Sequence, residues 1–484
     1  MARGKKKEAA LSPAERLQAA LVPESEQPYQ VPENWCWVKL GKLSTSQYGY
    51  TAKAIKNDTC PKMLRITDIQ DNSVDWDNVP NCQIDKENFE KYALSDGDIV
   101  IARTGATTGK SFLLNNPYNS VFASYLIRLR ISKKISRLYA FEFLQTDCYW
   151  KQISELSSGI AQPGVNATKL QSLYFPLAPL AEQQRIVDRI ETLFAKLDEA
   201  KQKAQDALDS FETCKAAILH KAFTGELTAQ WRKEHGVGME SWKKTALKDV
   251  CDKIVCGKTP TDFIQPTGEI PYLKVYNIVD NKIDFESMPQ FIPKEIHEGK
   301  LKSSILKPCD VIMNIVGPPL RKIAIIPDNY PEWNMNQAIV RFRPYDSLQY
   351  RFLYYALVNP ETLDDVIAAT KGVVGQANIS VTQSRELVIP LPSTEEQTEI
   401  VRILDDLLAK EQQAKEAAEK VLEQIDLTRK AILARAFRGE LGTNDPSEES
   451  ALELLKETLQ KAERFCSVYV LDNPSSATYN GCMR

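Results

Sequence analysis

The chain of 484 residues has 43% apolar and 26% charged side chains, a composition that excludes a wholly disordered or collagen-like protein. No run approaches 18 consecutive apolar residues and the basic N-terminus lacks a signal-peptide core, so we expect a cytoplasmic protein without a transmembrane helix. The ten cysteines include no C-x-x-C, which indicates reduced thiols. The net charge of −3 is uneven, since residues 35–178 carry +4 and residues 242–392 carry +1.

Residues 1–34 are interpreted as an N-terminal extension. Within it, Ser12-Pro-Ala-Glu15 has the form of a helix start and predicts a short helix that ends at Leu21. The alternative is a tail whose helix docks only on a partner.

Residues 35–178 are predicted to form a globular domain of mixed helices and strands. Short runs of β-branched and aromatic residues between turn residues predict its strands, and these runs are LRITDI, GDIVIART, YLIRLRI and KLQSLYFPL. A short helix is predicted at Leu138–Tyr149.

Residues 179–240 are predicted to contain a long helix and a linker. From Ile186 to Ala222, apolar or small residues recur at steps of three and four, which indicates a seam on one helix face. Gly225 follows, where a C-terminal glycine is common. The predicted helix has about 42 residues and a length of roughly 63 Å.

The same order of segments then returns. Residues 241–392 are predicted to form a second mixed domain with strands at YLKVYNI, CDVIMNIV, AIVRFRP and RELVIPL and a short helix at Tyr350–Leu357. Residues 393–445 are predicted to form a second long helix, which begins with a capping box at Ser393-Thr-Glu-Glu396 and ends before Gly439. Residues 446–484 form a tail with a predicted helix at Glu448–Phe465.

An internal duplication accounts for this order. CKAAILHKAFTGEL (214–227) and TRKAILARAFRGEL (428–441) are identical at eight of fourteen positions, and four further segment pairs keep similar offsets in the same order. A long helix with one apolar stripe needs a partner. We therefore predict that the two helices pack antiparallel and hold the domains at opposite ends of a rod. The alternative is that each helix packs on its own domain.

The motifs that resemble catalytic sites are incomplete. Thr104–Ser111 resembles a phosphate-binding loop, but only three residues separate Gly105 from Gly109 where the motif needs four. The equivalent segment of the second half contains two prolines, which cannot donate N–H bonds. No zinc-binding spacing or nucleophile elbow occurs either. We predict that the chain is not an enzyme and binds no metal, and a nucleotide hydrolase built on Gly105–Ser111 remains an alternative.

The duplicated pattern P-L-x-x-x-x-E-Q followed by a helix that ends in A-I-L-x-x-A-F-x-G-E-L resembles the specificity subunits of type I restriction–modification systems. The matching residues are Pro176-Leu177, Glu182-Gln183, Ala217-Ile-Leu219, Ala222-Phe223 and Gly225-Glu-Leu227, with Pro390-Leu391, Glu396-Gln397, Ala431-Ile-Leu433, Ala436-Phe437 and Gly439-Glu-Leu441. The run G-D-I-V-I-A-R-T-G is also typical of the family. The resemblance covers about residues 35–445.

The resemblance implies an α+β fold with two tandem target recognition domains and an antiparallel coiled coil. It implies that each domain binds one half of a split, asymmetric sequence in double-stranded DNA, with the helices as a ruler between the halves. Two methylation subunits that use S-adenosylmethionine and two restriction subunits that use ATP and Mg²⁺ would be the partners, so this chain itself would hold no cofactor. A coiled-coil scaffold without DNA affinity is the second alternative.

Residues of loops after strands are the candidates for DNA contact, because Arg, Lys and polar side chains bind phosphates and base edges. The candidates are Tyr48, Tyr50, Lys53, Arg103, Thr107, Lys110, Gln162, Lys258, Thr259, Arg321, Lys322 and Gln376.

Overall fold

The computed structural model describes residues 12–70, 73–157, 164–260, 263–370 and 377–460. The chain divides into two units, Met1–Gln202 with Leu422–Arg484 and Lys203–Val421, so that each long helix contributes one half to each unit. Among the described helices, none combines the length and the apolar composition that a membrane span requires. The cysteines of that part are free thiols.

The first unit contains domain 1 and both chain ends. Its helices are α1 (Pro13–Ala20), α2 (Lys86–Tyr92), α3 (Arg137–Phe143), α4 (Asp147–Ser157), α5 (Ala167–Gln171), the first half of α6 (Leu180–Phe223) and the end of the second long helix, α13 (Thr394–Ala436). Its strands are β1 (Cys36–Lys39), β2 (Ser44–Tyr48), β3 (Lys62–Leu64), β4 (Ile69–Gln70), β5 (Ser73–Val74), β6 (Ile99–Ala102), β7 (Ser111–Leu113), β8 (Ser120–Phe122), β9 (Leu126–Ile131) and β10 (Tyr174–Leu177).

The second unit contains domain 2. Its helices are the second half of α6, α7 (Ala229–His235), α8 (Leu247–Val250), α9 (Lys294–Glu298), α10 (Tyr350–Val358), α11 (Pro360–Thr370), α12 (Val381–Arg385) and the first part of α13 (Thr394–Ala436). Its strands are β11 (Lys243–Ala246), β12 (Val255–Cys256), β13 (Ile270–Leu273), β14 (Ile278–Val279), β15 (Lys282–Ile283), β16 (Phe291–Ile292), β17 (Val311–Asn314), β18 (Val316–Gly317), β19 (Ile323–Ile325), β20 (Asn334–Met335), β21 (Ile339–Phe342), β22 (Ala377–Asn378) and β23 (Val388–Leu391).

The two domains share one topology, as the duplication predicts. Each has a four-stranded antiparallel sheet, β2-β9-β6-β7 in domain 1 and β12-β21-β17-β19 in domain 2. A parallel pair accompanies each sheet, β3-β8 and β13-β20. The first strand of each domain also pairs with the last, β1 with β10 and β11 with β23. The strand before each long helix therefore closes its own domain.

Several predicted elements are shorter or differently bounded. The strands predicted at LRITDI and YLKVYNI are each interrupted by a 3₁₀ turn, Ile66–Asp68 and Val275–Asn277. The side chain of Asp68 accepts the N–H of Arg65, and the side chain of Asn277 accepts the N–H of Lys274. These local hydrogen bonds favour a turn over a strand. KLQSLYFPL forms α5 and then β10, and the helix predicted at Leu138–Tyr149 is two helices, α3 and α4.

The described parts of the N-terminal extension and of the C-terminal tail pack on domain 1. The predicted capping box at Ser12 and Glu15 is present, and α1 ends one residue before Leu21. Residues 451–460 are helical, and Ala451 donates its N–H to the carbonyl of Asn34 at 2.9 Å. The rest of the predicted helix Glu448–Phe465 beyond residue 460 lies outside the described residues. The described extensions dock on the chain itself.

The long helices are antiparallel, because the start of each meets the end of the other. In the first unit, Ile186 and Ile190 of α6 share one apolar core with Leu433 and Phe437 at the end of α13. The guanidinium of Arg429 lies 4.6 Å from the ring centre of Phe194.

The second unit repeats this arrangement. Leu219 and Phe223 at the end of α6 share a core with Ile400 and Leu404 at the start of α13. Both cores also contain residues of the adjacent domain. The helices thus pack on each other and on the domains, so the two packing arrangements posed as alternatives occur together.

A buried glutamate at the start of α6 joins three segments of the first unit. Glu182 is fully buried. Its Oε2 accepts the indole N–H of Trp35 at 2.7 Å and the side-chain amide of Asn444 at 2.8 Å. Burial raises the pKa of the Glu182 carboxyl, and these two donors oppose that effect. The next residue, Gln183, accepts the N–H of Ser136 at 2.9 Å.

Glu396 has the same position at the start of α13. It accepts the indole N–H of Trp242 at 2.9 Å, the hydroxyl of Thr228 at 2.7 Å and the guanidinium of Arg232 at 2.7 Å. Because these donors occupy both oxygens, the predicted capping box is only half formed, with Ser393 Oγ accepting the N–H of Glu396 at 3.4 Å. The E-Q motif of each half therefore meets the residues that follow the G-E-L motif of the other half.

Removing the indole donor should test this junction. Trp35→Phe keeps the aromatic ring and leaves the buried Glu182 with one donor fewer, so we expect a loss of about 1–3 kcal/mol in the free energy of unfolding. Denaturant unfolding measures it. Trp150→Phe, at a residue whose side chain is 38% exposed, is the matched control. Equal losses in the two variants would contradict the proposed importance of the hydrogen bond.

A second prediction concerns Glu142, which lies on α3 near the long helices. Burial and the nearby Glu191 raise the pKa of its carboxyl to about 7, against the opposing effect of Arg429. The native state therefore holds a proton that the unfolded chain has lost above pH 4.5, and stability falls as the pH rises from about 4.5 to 7. Glu142→Gln should flatten this fall and raise the melting temperature above pH 7. A melting temperature with the same pH profile in both proteins would disprove it.

Candidate nucleic-acid interface

At one end of the domain 1 sheet, two strands finish and the other two begin. In the antiparallel order, the ends of β2 and β6 lie beside the starts of β9 and β7. We define rim 1 as Tyr48–Tyr50, Arg103–Lys110 and Ser124–Tyr125, the residues that leave or enter these strand ends. Tyr48, Tyr50, Arg103, Thr107 and Lys110 are thereby brought to one edge of the domain.

Domain 2 has an equivalent edge. We define rim 2 as Cys256–Thr259, Ile315–Lys322 and Gln337–Ala338, which flank β12, β17, β19 and β21. The predicted residues Lys258, Thr259, Arg321 and Lys322 all lie on it. The two rims are the candidate interfaces.

The main chain makes equivalent hydrogen bonds at both rims. Arg103 donates its N–H to the carbonyl of Tyr125 at 3.1 Å, and its own carbonyl accepts the N–H of Val165 at 2.9 Å. The equivalent bonds of rim 2 join Ile315 to Ala338 at 2.8 Å and Ile379 to Ile315 at 2.9 Å. Neither pair of bonds depends on side-chain identity.

A glycine lets two segments of each rim approach closely. Gly49 donates its N–H to the carbonyl of Leu126, and Gly257 makes the equivalent bond to Ile339, both at 3.1 Å. A Cβ atom on Gly49 would lie 2.1 Å from the carbonyl oxygen of Ala123, and one on Gly257 would lie 2.0 Å from a carbonyl oxygen of β20. Only glycine fits at these positions.

The side chains of Arg103 and Tyr48 contact each other in rim 1. The guanidinium lies 4.7 Å from the ring centre of Tyr48, a cation–π contact. Its Nη1 donates to the carbonyl of Ser124 at 3.4 Å, and the hydroxyl of Tyr48 accepts the N–H of Ala167 at 3.0 Å. The buried Nε of Arg103 has no hydrogen-bond partner among the described residues.

The segment that resembles a phosphate-binding loop is a hairpin turn between β6 and β7. The hydroxyl of Thr108 donates to the carbonyl of Gly105 at 2.7 Å, and Lys110 donates its N–H to the carbonyl of Thr107 at 2.9 Å. The chain then continues as a strand, whereas a phosphate-binding loop opens a helix. The turn leaves Thr107 exposed and Lys110 half-buried.

The remaining candidates of domain 1 have different surroundings. The ring of Tyr50 packs 5.3 Å from that of Tyr92 in a small apolar cluster, so it has a structural role as well. Lys53 is exposed on the loop that follows rim 1. Gln162, and Gln376 in the second half, lie outside the described residues.

Lys258 and Thr259 follow the glycine of rim 2. Lys258 is exposed, and its carbonyl accepts the hydroxyl of Tyr272 at 2.8 Å. The hydroxyl of Thr259 bonds to the side chain of Gln337. This hydrogen bond connects the two sides of rim 2.

Arg321 occupies a left-handed conformation, with φ +73°, at the position where rim 1 has Gly109 with φ +91°. Its guanidinium pairs with Asp364 and donates to the carbonyl of Pro360 at 3.2 Å. Its charge is therefore already partnered. Lys322 points its Nζ toward the carbonyl of Val275 at 3.4 Å.

The repeated arginines of β9 and β21 stabilise the domains by contacts within the chain. Arg128 is buried and donates to the carbonyl of Ala93 at 2.6 Å, and burial lowers its pKa to about 10. Arg130 pairs with Asp98 at 2.8 Å. The equivalent Arg343 pairs with Asp310 at 2.7 Å. Part of the positive charge of each domain is thus unavailable to a ligand.

Sequence reasoning missed Tyr125, whose side chain is 66% exposed beside Arg103. The run YLIRLRI predicts a strand that begins at Tyr125, whereas β9 begins at Leu126. The repeat offset of 213 already paired Tyr125 with Ala338, and that contrast was a usable signal. Over the described residues, no group of histidine, cysteine or carboxylate side chains is arranged to hold a metal ion.

Comparison with known proteins identifies one family. The type I restriction modification DNA specificity domain matches residues 32–208 and 239–424. The EcoKI specificity subunit of Escherichia coli strain K12 is 25% identical over 465 residues, which cover 90% of this chain and 97% of that protein. The EcoBI specificity subunit of Escherichia coli is 28% identical over 340 residues, 66% of this chain and 70% of that one.

Two solved structures share the fold. A chain from a structure of the type I R-M system superimposes with a TM-score of 0.65 at 21% identity and covers 86% of this chain and 100% of that one. The HsdS subunit from Thermoanaerobacter tengcongensis superimposes with a TM-score of 0.58 at 20% identity and the same coverage.

The close approach at Gly49 gives a prediction. Gly49→Ala places a methyl group against main-chain atoms that cannot move independently, so we expect a loss of about 3 kcal/mol in the free energy of unfolding. Gly105→Ala, where the added Cβ meets nothing within 4 Å but φ is +81°, should cost only about 1 kcal/mol. Denaturant unfolding compares them. A larger loss for Gly105→Ala would refute the steric argument.

Proposed function

This chain belongs to the family of type I restriction–modification DNA specificity subunits, and from that premise we propose that its two domains recognise the two halves of a split, asymmetric DNA target. It is a recognition subunit rather than the catalytic one. One observation carries the proposal: the two rims share a main-chain frame but display different side chains. A duplicated frame with different side chains suits two recognition sites for different base sequences.

The rims have the chemistry for DNA contact. Rim 1 offers an arginine and exposed tyrosines, and rim 2 offers an exposed lysine beside a Thr–Gln pair. Such groups bind phosphates and base edges in the grooves of DNA. Loops at strand ends place them on a rigid sheet.

We further propose that the paired helices set the spacing between the half-sites. The supporting feature is that α6 and α13 are continuous helices of 44 and 43 residues, which pack antiparallel in each unit. Their remaining surface would dock two methylation subunits, with two restriction subunits in the complete assembly. S-adenosylmethionine, ATP and Mg²⁺ would belong to those partners, and the complex would act on DNA in the cytoplasm.

DNA binding with a steep salt dependence is the expected result for the chain in complex with its methylation subunits. Phosphate contacts release counterions, so the logarithm of the binding constant should fall linearly with the logarithm of salt concentration. A pool of randomised duplexes should also yield one split motif. No salt-dependent binding would instead favour a coiled-coil scaffold without DNA affinity.

Lys258→Ala tests rim 2 within that experiment. If Lys258 contacts a phosphate, the variant should bind all sequences more weakly and lose about one unit of the salt slope. Lys248→Ala is the matched control. Lys248 lies on α8, before the opposite end of the same sheet, and its ammonium group pairs with Glu386. Equal slopes for Lys258→Ala and the unsubstituted protein would remove Lys258 from the interface.

A further inference from the structure

The two rims carry side chains of different chemistry at three equivalent positions. Strand register and main-chain hydrogen bonds establish the equivalence, since Tyr48 pairs with Ile127 as Cys256 pairs with Val340. Rim 1 has Tyr48, Arg103 and Tyr125, and rim 2 has Cys256, Ile315 and Ala338. A polar and aromatic trio thus stands where the other domain has a small and apolar one.

The trio of rim 1 holds a donor in place. The ring of Tyr48 lies under the guanidinium of Arg103, and the Tyr48 hydroxyl is itself anchored by a main-chain N–H. Nη1 is directed to the carbonyl of Ser124, which precedes the exposed Tyr125. A guanidinium fixed on two sides loses little further freedom on binding a ligand.

The donors of Arg103 are only partly used. The Nη1 bond is long, at 3.4 Å, and Nη2 forms no hydrogen bond with the described residues, whereas the buried Nε is out of reach of a ligand. Structural arginines of the same domain differ, because Arg128 donates to two main-chain carbonyls and Arg130 forms a close pair with Asp98. Arg103 therefore has capacity left for an external acceptor.

We infer that Arg103, positioned by Tyr48 and flanked by Tyr125, specifies a guanine in the half-site bound by domain 1. Guanine presents two acceptors, O6 and N7, in the major groove, and arginine is the side chain that most often binds them. At the equivalent positions, Ile315 and Ala338 have no side-chain donor, so rim 2 uses no such contact there. The inference rests on the proposed function and adds a base and a residue to it.

These positions can be exchanged without rebuilding the rim. The bonds that hold Arg103 and Ile315 in place are formed by main-chain atoms in both domains. Arg103→Ile therefore introduces the residue that the other domain already carries at this position. Tyr125→Ala does the same at an exposed side chain.

The test is a selection of randomised duplexes by the full-length chain in complex with its methylation subunits. The unsubstituted complex should enrich one split motif that has a guanine in one half. Arg103→Ile should reduce the preference for that guanine by about 10-fold or more and leave the other half unchanged. Arg103→Lys should also lose it, because lysine keeps the charge but not the planar fork.

The matched control is Arg137→Ile, at an exposed arginine whose Nη1 binds the carbonyl of Asp96 beyond the opposite end of the sheet. It should leave the whole motif intact. Tyr125→Ala gives a second measurement if Arg103→Ile folds poorly, and it should weaken binding through the same half-site only.

The possible outcomes distinguish DNA recognition by the complex from recognition of guanine by Arg103. If the unsubstituted complex enriches no motif, the proposed function fails and this inference fails with it. If the motif appears and Arg103→Ile and Arg103→Lys keep the same guanine preference, the inference alone is overturned. A change in both half-sites would also overturn it, because Arg103 would then act on the fold rather than on one base.

Discussion

The buried carboxylate at the start of each long helix is the contact on which the architecture depends. Glu182 and Glu396 are fully buried, and such a charge is tolerable only with hydrogen-bond donors around it. Each receives an indole N–H from the beginning of its own domain and further donors from the segment after the end of the other long helix. The junction therefore closes the domain and pairs the helices through the same side chain.

The two junctions are not electrically equal. Glu396 has the guanidinium of Arg232 at 2.7 Å, whereas both donors at Glu182 Oε2 are uncharged. Burial accordingly raises the pKa of the Glu182 carboxyl. An ion pair with hydrogen bonds offsets the cost of burying a carboxylate better than neutral donors do. The two halves thus share the position of the buried glutamate and differ in the donors that offset the cost of burying its carboxylate.

The main-chain structure of each rim does not depend on the side chains at its surface, and this property suits the fold to recognition. Main-chain bonds and the close approach at Gly49 and Gly257 fix both rims, so side chains such as Arg103 and Ile315 can differ without loss of the sheet. The same logic explains why the halves resemble each other most in the helices. Helix residues satisfy shared packing and junction contacts, whereas the exposed rim residues are free of those constraints and can differ between the halves.

The sequence by itself determined the duplication, both long helices and the left-handed glycines that follow them, because helical periodicity and glycine conformation are local properties. It also placed most candidate residues on strand-end loops. Only the tertiary structure decided that the Glu396 carboxylate accepts from Trp242 instead of capping its own helix, and that Arg103 stacks on Tyr48 beside Tyr125. Those outcomes depend on contacts between segments distant in the chain, and no local pattern encodes which partner a side chain will meet.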